Sequence, residues 1–250
     1  MKSLLAACLP ILFLLISSSA CAAGAGETAL QTADGPVTLH IIHHASFVLD
    51  WNGKTIYVDP TESADLYKGL GAPDLILITH AHSDHLSPKT LDALDTSKAI
   101  VVMPQSVADK IGHRYGKAQL IMANGDSAQK DGITIHAVPM YNLTPARLKY
   151  HPKGWGNGYV LTLGGKRIYI SGDTEGTPEM RALKHIDLAF VCMNLPYTMD
   201  VTQAADAVLA FKPKVVYPYH YRGQDTAKFK QLVDAREPHI DVRLRNWYAE

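Results

Sequence analysis

Asp74-Leu75-Ile76-Leu77-Ile78-Thr79-His80-Ala81-His82-Ser83-Asp84-His85-Leu86-Ser87-Pro88 carries an unbroken apolar run straight into four side chains of metal-ligand type. A short run with no polar alternation is the pattern of a strand covered on both faces. Ser87-Pro88 then supplies a helix start, with a capping hydroxyl followed by proline at the first helical position. Residues two apart at a strand exit point the same way, which puts His80 beside His82, while Asp84 and His85 turn over the opening of the next helix. One loop can therefore offer ligands to two adjacent divalent ions. Imidazole and carboxylate suit Zn²⁺, Mn²⁺ or Fe, and the absence of cysteine from the stretch argues against a structural thiolate site.

Working outward, the spacing predicts strands over 37–42, 47–51, 55–58 and 75–79, with Asn52-Gly53 as a hairpin turn. A helix over 86–94, a strand over 99–103 and a helix over 105–112 follow. Strands are expected over 133–139, 159–163 and 167–171, the last two joined by Gly164-Gly165. Later, helices over 178–183, 202–210 and 227–233 alternate with strands over 188–193, 215–219 and 242–244. Residues 23–34 are small and polar and read as a flexible lead-in. Hairpins come first and strand–helix alternation second, in two loosely similar halves without a linker, so one mixed α/β domain over 35–250 is expected.

With 47% hydrophobic and 19% charged residues among 250, the chain has the makeup of a folded globular protein rather than a disordered one. Lys plus Arg balances Asp plus Glu at 24 each, so no net field favours a phosphate backbone, and no nucleic-acid partner is expected. Residues 1–22 follow the order of an export signal: one Lys, an apolar run from Leu4 to Ile16, then small residues. Two endings stay open, cleavage after Ala22 or lipoprotein processing at Cys21, and a lipid there is the only membrane contact expected. Export to the periplasm or beyond follows either way. Cys192, inside an apolar strand, reads as a small buried hydrophobe rather than a nucleophile.

His80-x-His82-x-Asp84-His85 after an apolar strand resembles the signature of the metallo-β-lactamase fold. Gly172-Asp173-Thr174, after the strand over 167–171, is similar to that fold's Gly-Asp-Thr element, and His220 in Pro218-Tyr219-His220-Tyr221 resembles its late histidine. His44-Ala45-Ser46-Phe47 and Val58-Asp59-Pro60 look like the lactonase-like and phospholipase-D-like branch. The resemblance implies an αββα four-layer sandwich of two mixed sheets flanked by helices, holding one or two divalent ions, with Zn²⁺ taken first and Mn²⁺ or Fe as alternatives. It also implies that Asp173 bridges the metals, that His220 serves the second, and that a mid-chain histidine completes the first. His136, His151 and Asn142 compete for that last place. We take His151, which stands in a Gly- and Pro-rich loop able to fold over the site.

His44 reads as facing substrate, standing behind a ligand, or purely structural, and Asp59 as orienting a ligand histidine through its free ring N–H. Lys153, Trp155 and Asn157 belong to a loop over 150–158 that is either a substrate-touching lid or a tight connection around a packed Trp155, and Lys153 or Arg147 could pair with an anionic group. The implied chemistry is hydrolysis of a small ester, lactone or phosphodiester by metal-activated water, with Asp84 holding a metal and handling the proton. A periplasmic β-lactamase, or a metal-binding protein without turnover, are the alternatives.

Overall fold

The structure, a computed structural model, describes residues 26–249, so the leader and Cys21 lie outside the described residues. The first sheet contains β1 (Glu27–Thr32), β2 (Gly35–His43), β3 (Ser46–Trp51), β4 (Lys54–Val58), β5 (Leu75–Leu77), β6 (Ile100–Met103) and β7 (Ala118–Ile121), neighbours in space as in sequence. The second repeats the plan with β8 (Ser127–Lys130), β9 (Ile133–Met140), β10 (Gly156–Leu163), β11 (Lys166–Ile170), β12 (Leu188–Cys192), β13 (Val215–Tyr219) and β14 (Asp241–Val242). Within each sheet the first four strands pair antiparallel. The later ones pair parallel.

Helices α1 (Pro88–Ala93) and α2 (Gln105–Ile111) cover the first sheet's outer face, while α3 (Pro178–Arg181), α4 (Val201–Phe211) and α5 (Thr226–Asp234) follow strands of the second. The apolar run of β5 is explained by this layering. Leu75 and Leu77 enter the core between the sheets with Phe47, Leu49 and Tyr159, while Ile76 and Ile78 lie under the helices with Leu91, Val107 and Ile111. Each such side chain contributes about 1.5–3 kcal/mol by leaving water, so neither face tolerates a polar residue. The architecture is an αββα sandwich. Among the described residues no helix is long and apolar enough to cross a membrane.

One expectation is corrected. Within the supposed flexible lead-in, Glu27–Thr32 is a strand paired antiparallel with β2. β7 and β8 were not anticipated either. All three are the outermost strands of their sheets, where neighbours cover only part of each strand and the apolar signal thins.

Candidate metal centre

The cluster forms where strand ends of both sheets meet. His80, His82, Asp84 and His85 leave β5; Asp59 leaves β4; Asp173 follows β11; and His220 follows β13. His44 sits in the β2–β3 turn and His151 in the β9–β10 loop. His44, Asp59 and His220 hold positive φ of 55°, 44° and 49°, conformations that ordinary residues adopt at some cost and that concentrate at functional sites.

Hydrogen bonds fix which ring nitrogens face inward. Asp59, fully buried, accepts from Thr79 N–H, from Thr79 Oγ1 and from His85 Nδ1, each at 2.7 Å. A carboxylate only accepts, so His85 carries a proton on Nδ1 and turns Nε2 into the site. Because Thr79 Oγ1 spends its hydrogen on Asp59, it accepts from His80 Nδ1 at 3.0 Å, and His80 presents an unprotonated Nε2. That nitrogen lies 3.1 Å from His82 Nδ1.

The donor atoms fall into overlapping groups, His80 with His82 and His151, His80 with His85 and Asp173, and His44 with Asp84 and His220, each within 4.8 Å. Asp173 straddles them. Its Oδ1 is 3.4 Å from both His85 Nε2 and His220 Nε2, and its Oδ2 is 3.4 Å from His151 Nε2. Asp84 Oδ2 lies 3.2 Å from His44 Nε2 and 3.4 Å from His220 Nε2. A tetrahedral ion with bonds of about 2.0–2.1 Å has ligand–ligand edges of about 3.3 Å, so these spacings suit coordination. His85 Nε2, His151 Nε2 and Asp173 Oδ1 are buried without a hydrogen-bond partner, as atoms awaiting a cation would be. The residues present fit a pair of divalent ions.

Electrostatics agree. Burial holds His80 well below the usual imidazole value, lowers His82, and brings His151 and His44 down to about 4, so their lone pairs are free at neutral pH. His85 is the exception: burial alone would lower it, but the Asp173 and Asp59 carboxylates outweigh it and hold it well above that value, so an ion binding at Nε2 has to displace a proton from it. For Asp173, burial is outweighed by His220 and His85; for Asp84, by hydrogen bonds from His220 and His44; both stay below the usual carboxylate range.

The other residues named from sequence are not among these donors. His136 Nδ1 bonds Ser127 Oγ at 2.8 Å between β8 and β9, away from the cluster. Asn142 donates to Arg147 O and Tyr197 O and lies 3.2 Å from His151 Nδ1, behind the ring. Trp155 packs its ring 4.7 Å from that of His82. Asn157 is buried, bonded to Met122 O and Asn124, and its backbone N–H donates to Thr79 O. Lys153 pairs with Glu179, and Arg147 with Glu175. Cys192 is free and buried in β12.

Sequence reasoning missed Tyr248, whose hydroxyl is 2.7 Å from His44 Nδ1 and accepts from Arg222 N–H at 2.8 Å. No spacing in Asn246-Trp247-Tyr248 announces that role. The metal-facing side chains open into a cavity of about 630 Å³ whose further wall includes Tyr150, Asn194, Leu195, Pro196, Tyr197 and Arg222.

The family description "Beta-lactamase superfamily domain" matches residues 38–220. A UPF0173 metal-dependent hydrolase from Pyrococcus abyssi is 31% identical over 212 residues, covering 79% of this chain and 92% of its own. Another from Pelotomaculum thermopropionicum is 33% identical over 216 residues, covering 77% and 90%. Among solved structures, a candidate metal-dependent hydrolase from Parabacteroides distasonis shares 40% identity with a TM-score of 0.81, covering 90% of this chain and 99% of that one. A metallo hydrolase from the archaeon Ignicoccus hospitalis shares 25% identity with a TM-score of 0.71, covering 85% and 96%.

Proposed function

This chain belongs to the beta-lactamase superfamily, among the UPF0173 metal-dependent hydrolases, and on that premise we propose that it cleaves a small ester, lactone or phosphodiester with two ions of Zn²⁺. The observation that carries the two-ion reading is Asp173, one carboxylate whose two oxygens face different histidines. His80, His82 and His151 would hold one ion, Asp84, His85 and His220 the other, and Asp173 both; Mn²⁺ or Fe would fit the same donors. When bound, such ions acidify water and polarise the oxygen under attack.

The chain's own residues do the rest. Asp59 and Thr79 fix the tautomers of His85 and His80 before any ion arrives. Asp84 Oδ2 accepts from His44 Nε2, which leaves Oδ1 without a protein partner among the described residues and able to take a proton from the cavity. Its side chain is 45% exposed, against 4% for Asp173, so it is the carboxylate that solvent reaches. We also propose export, on the order of residues in the leader over 1–22.

His82→Ala tests the assignment. Zn²⁺-loaded wild type is expected to hydrolyse at least one of a panel of aryl esters, lactones, aryl phosphodiesters and nitrocefin, and the variant none, with less bound zinc by elemental analysis. Undiminished turnover in His82→Ala would show that these side chains are not the reactive centre, and turnover of nitrocefin alone would replace the ester reading with a β-lactamase.

A further inference from the structure

Two cations singled out in the sequence as anion partners are already taken. Lys153 Nζ is 2.7 Å from Glu179 and Arg147 Nη1 is 2.7 Å from Glu175, so neither is available to a ligand. Arg222 differs. It is exposed, it is the only Lys or Arg in the wall of the metal-facing cavity, and its guanidinium makes no ion pair or hydrogen bond among the described residues. Its backbone is fixed, because Arg222 N–H donates to Tyr248 Oη. The only carboxylates in that wall are Asp84 and Asp173, which belong to the donor cluster, so no protein anion in the cavity competes for Arg222.

Elsewhere on the rim the surface is apolar. Of the six large hydrophobic side chains exposed in the described residues, two, Leu195 and Tyr197, line the cavity, and two more, Leu143 and Leu148, belong to the β9–β10 loop that brings Tyr150 and His151 to it. Asn142 Nδ2 donating to Tyr197 O at 2.7 Å ties those loops together, and the rings of Tyr150 and Tyr197 meet edge to face at 5.0 Å. Single exposed apolar residues need no explanation, but two in the wall of the metal-facing cavity offer a surface to a ligand there.

We propose that the cavity binds a substrate with a carboxylate remote from its scissile bond, held by the Arg222 guanidinium, and an apolar body laid over Leu195 and Tyr197. The planar guanidinium presents two parallel N–H donors that match a carboxylate. One unpaired cation balances one negative charge, which is why a carboxylate is assigned rather than a phosphate dianion. The inference rests on the hydrolase reading and adds the chemical class of the substrate.

A matched pair of probes tests it. Mono-(4-nitrophenyl) glutarate and 4-nitrophenyl pentanoate share the ester and the chain, one ending in carboxylate where the other ends in methyl. With Zn²⁺-loaded enzyme, the ratio of their kcat/KM values is expected to favour the glutarate, to fall roughly ten- to hundredfold in Arg222→Met, the size of a lost charge-assisted contact, and to fall less in Arg222→Lys. A wild-type ratio near one, or a ratio that Arg222→Met leaves in place, would overturn the anion site while the hydrolase reading stood. If neither ester is cleaved, the ester reading fails and takes this inference with it.

Discussion

Tyr248→Phe removes one oxygen more than 200 residues along the chain from the histidine it touches, and the structure fixes what that oxygen does. Tyr248 Oη accepts from Arg222 N–H, so its own hydrogen has a single partner, His44 Nδ1 at 2.7 Å. His44 must then carry its proton on Nε2 and donate to Asp84 Oδ2 at 3.2 Å. Tyrosine, histidine and aspartate thus form one directed chain that aims the Asp84 carboxylate. In the variant, water can replace the phenol at exposed Arg222, but His44 is 2% exposed and its Nδ1 is left unpaired. An unpaired buried group costs about 1–3 kcal/mol, and loss of a residue that orients a ligand typically weakens metal binding about 10–100-fold. Competition of a chromophoric chelator for Zn²⁺ against the metal-free protein should resolve two classes of site. Only the class built on Asp84 and His220 should shift; the one built on His80, His82 and His151 should not. Superimposable titrations, or an equal shift of both classes, would refute the relay.

Asp59→Asn replaces an acceptor by a donor in front of His85 Nδ1 and Thr79, and should weaken metal binding about 10–100-fold while lowering the denaturation midpoint of the metal-free protein; unchanged values in both measurements would remove Asp59 from its orienting role. Burial pushes the Cys192 thiol up to about 12, so a protein lacking residues 1–22, and with them Cys8 and Cys21, should release no chromophore from Ellman's reagent near neutral pH when folded and one equivalent after denaturation; a full equivalent from the native protein would contradict this placement. Burial alone would raise Asp187, yet Lys214 Nζ at 2.8 Å and Arg167 N–H at 3.0 Å outweigh it and leave it below the usual carboxylate range. Its folded value lies below its unfolded one, so its contribution is complete above about pH 4 and is lost as pH falls through the folded value. Asp187→Asn should therefore be less stable than wild type near neutrality, with the gap in urea midpoint narrowing towards about pH 3; a gap that does not change with pH would show the carboxylate charge to be irrelevant.

How much of this could be read from the chain follows from where each contact comes from. The apolar run of β5 and its His-x-His-x-Asp-His exit are local, because burial on both faces is written residue by residue and the ligands lie within six positions. Asp173 and His220 were legible for the same reason, each following a buried parallel strand. His44 was harder. Its approach to Asp84 depends on a left-handed turn residue and on a hydroxyl close to the far end of the chain, neither of which leaves a periodic trace. Choosing between His136 and His151 from sequence needed the path of the fifteen-residue connection between Met140 and Gly156, which strand alternation cannot supply, whereas the fold settles their positions at once.

The doubled topology offers a rule that the residue pattern alone did not. Each half has four antiparallel strands followed by parallel ones. In each, a histidine lies between the second and third strands, His44 in the first half and His151 in the second, and an aspartate follows the fourth, Asp59 and Asp173. Facing sheets bring these equivalent strand ends to one place, so a half that supplies a histidine and a carboxylate there is met by its counterpart. The equivalence ends at the next strands: the first half turns out its cluster after β5, whereas the second reserves its late histidine for the exit of β13. Asp59 and Asp173 accordingly differ in what they face, the former enclosed by Thr79 and His85 Nδ1 and the latter open to three imidazole Nε2 atoms. A buried carboxylate already surrounded by N–H and O–H donors orients its neighbours, while one set among imidazole Nε2 atoms at 3.4 Å is placed to share a cation with them. That contrast, between two aspartates in the same topological slot, is the physical basis for assigning one to support and the other to metal.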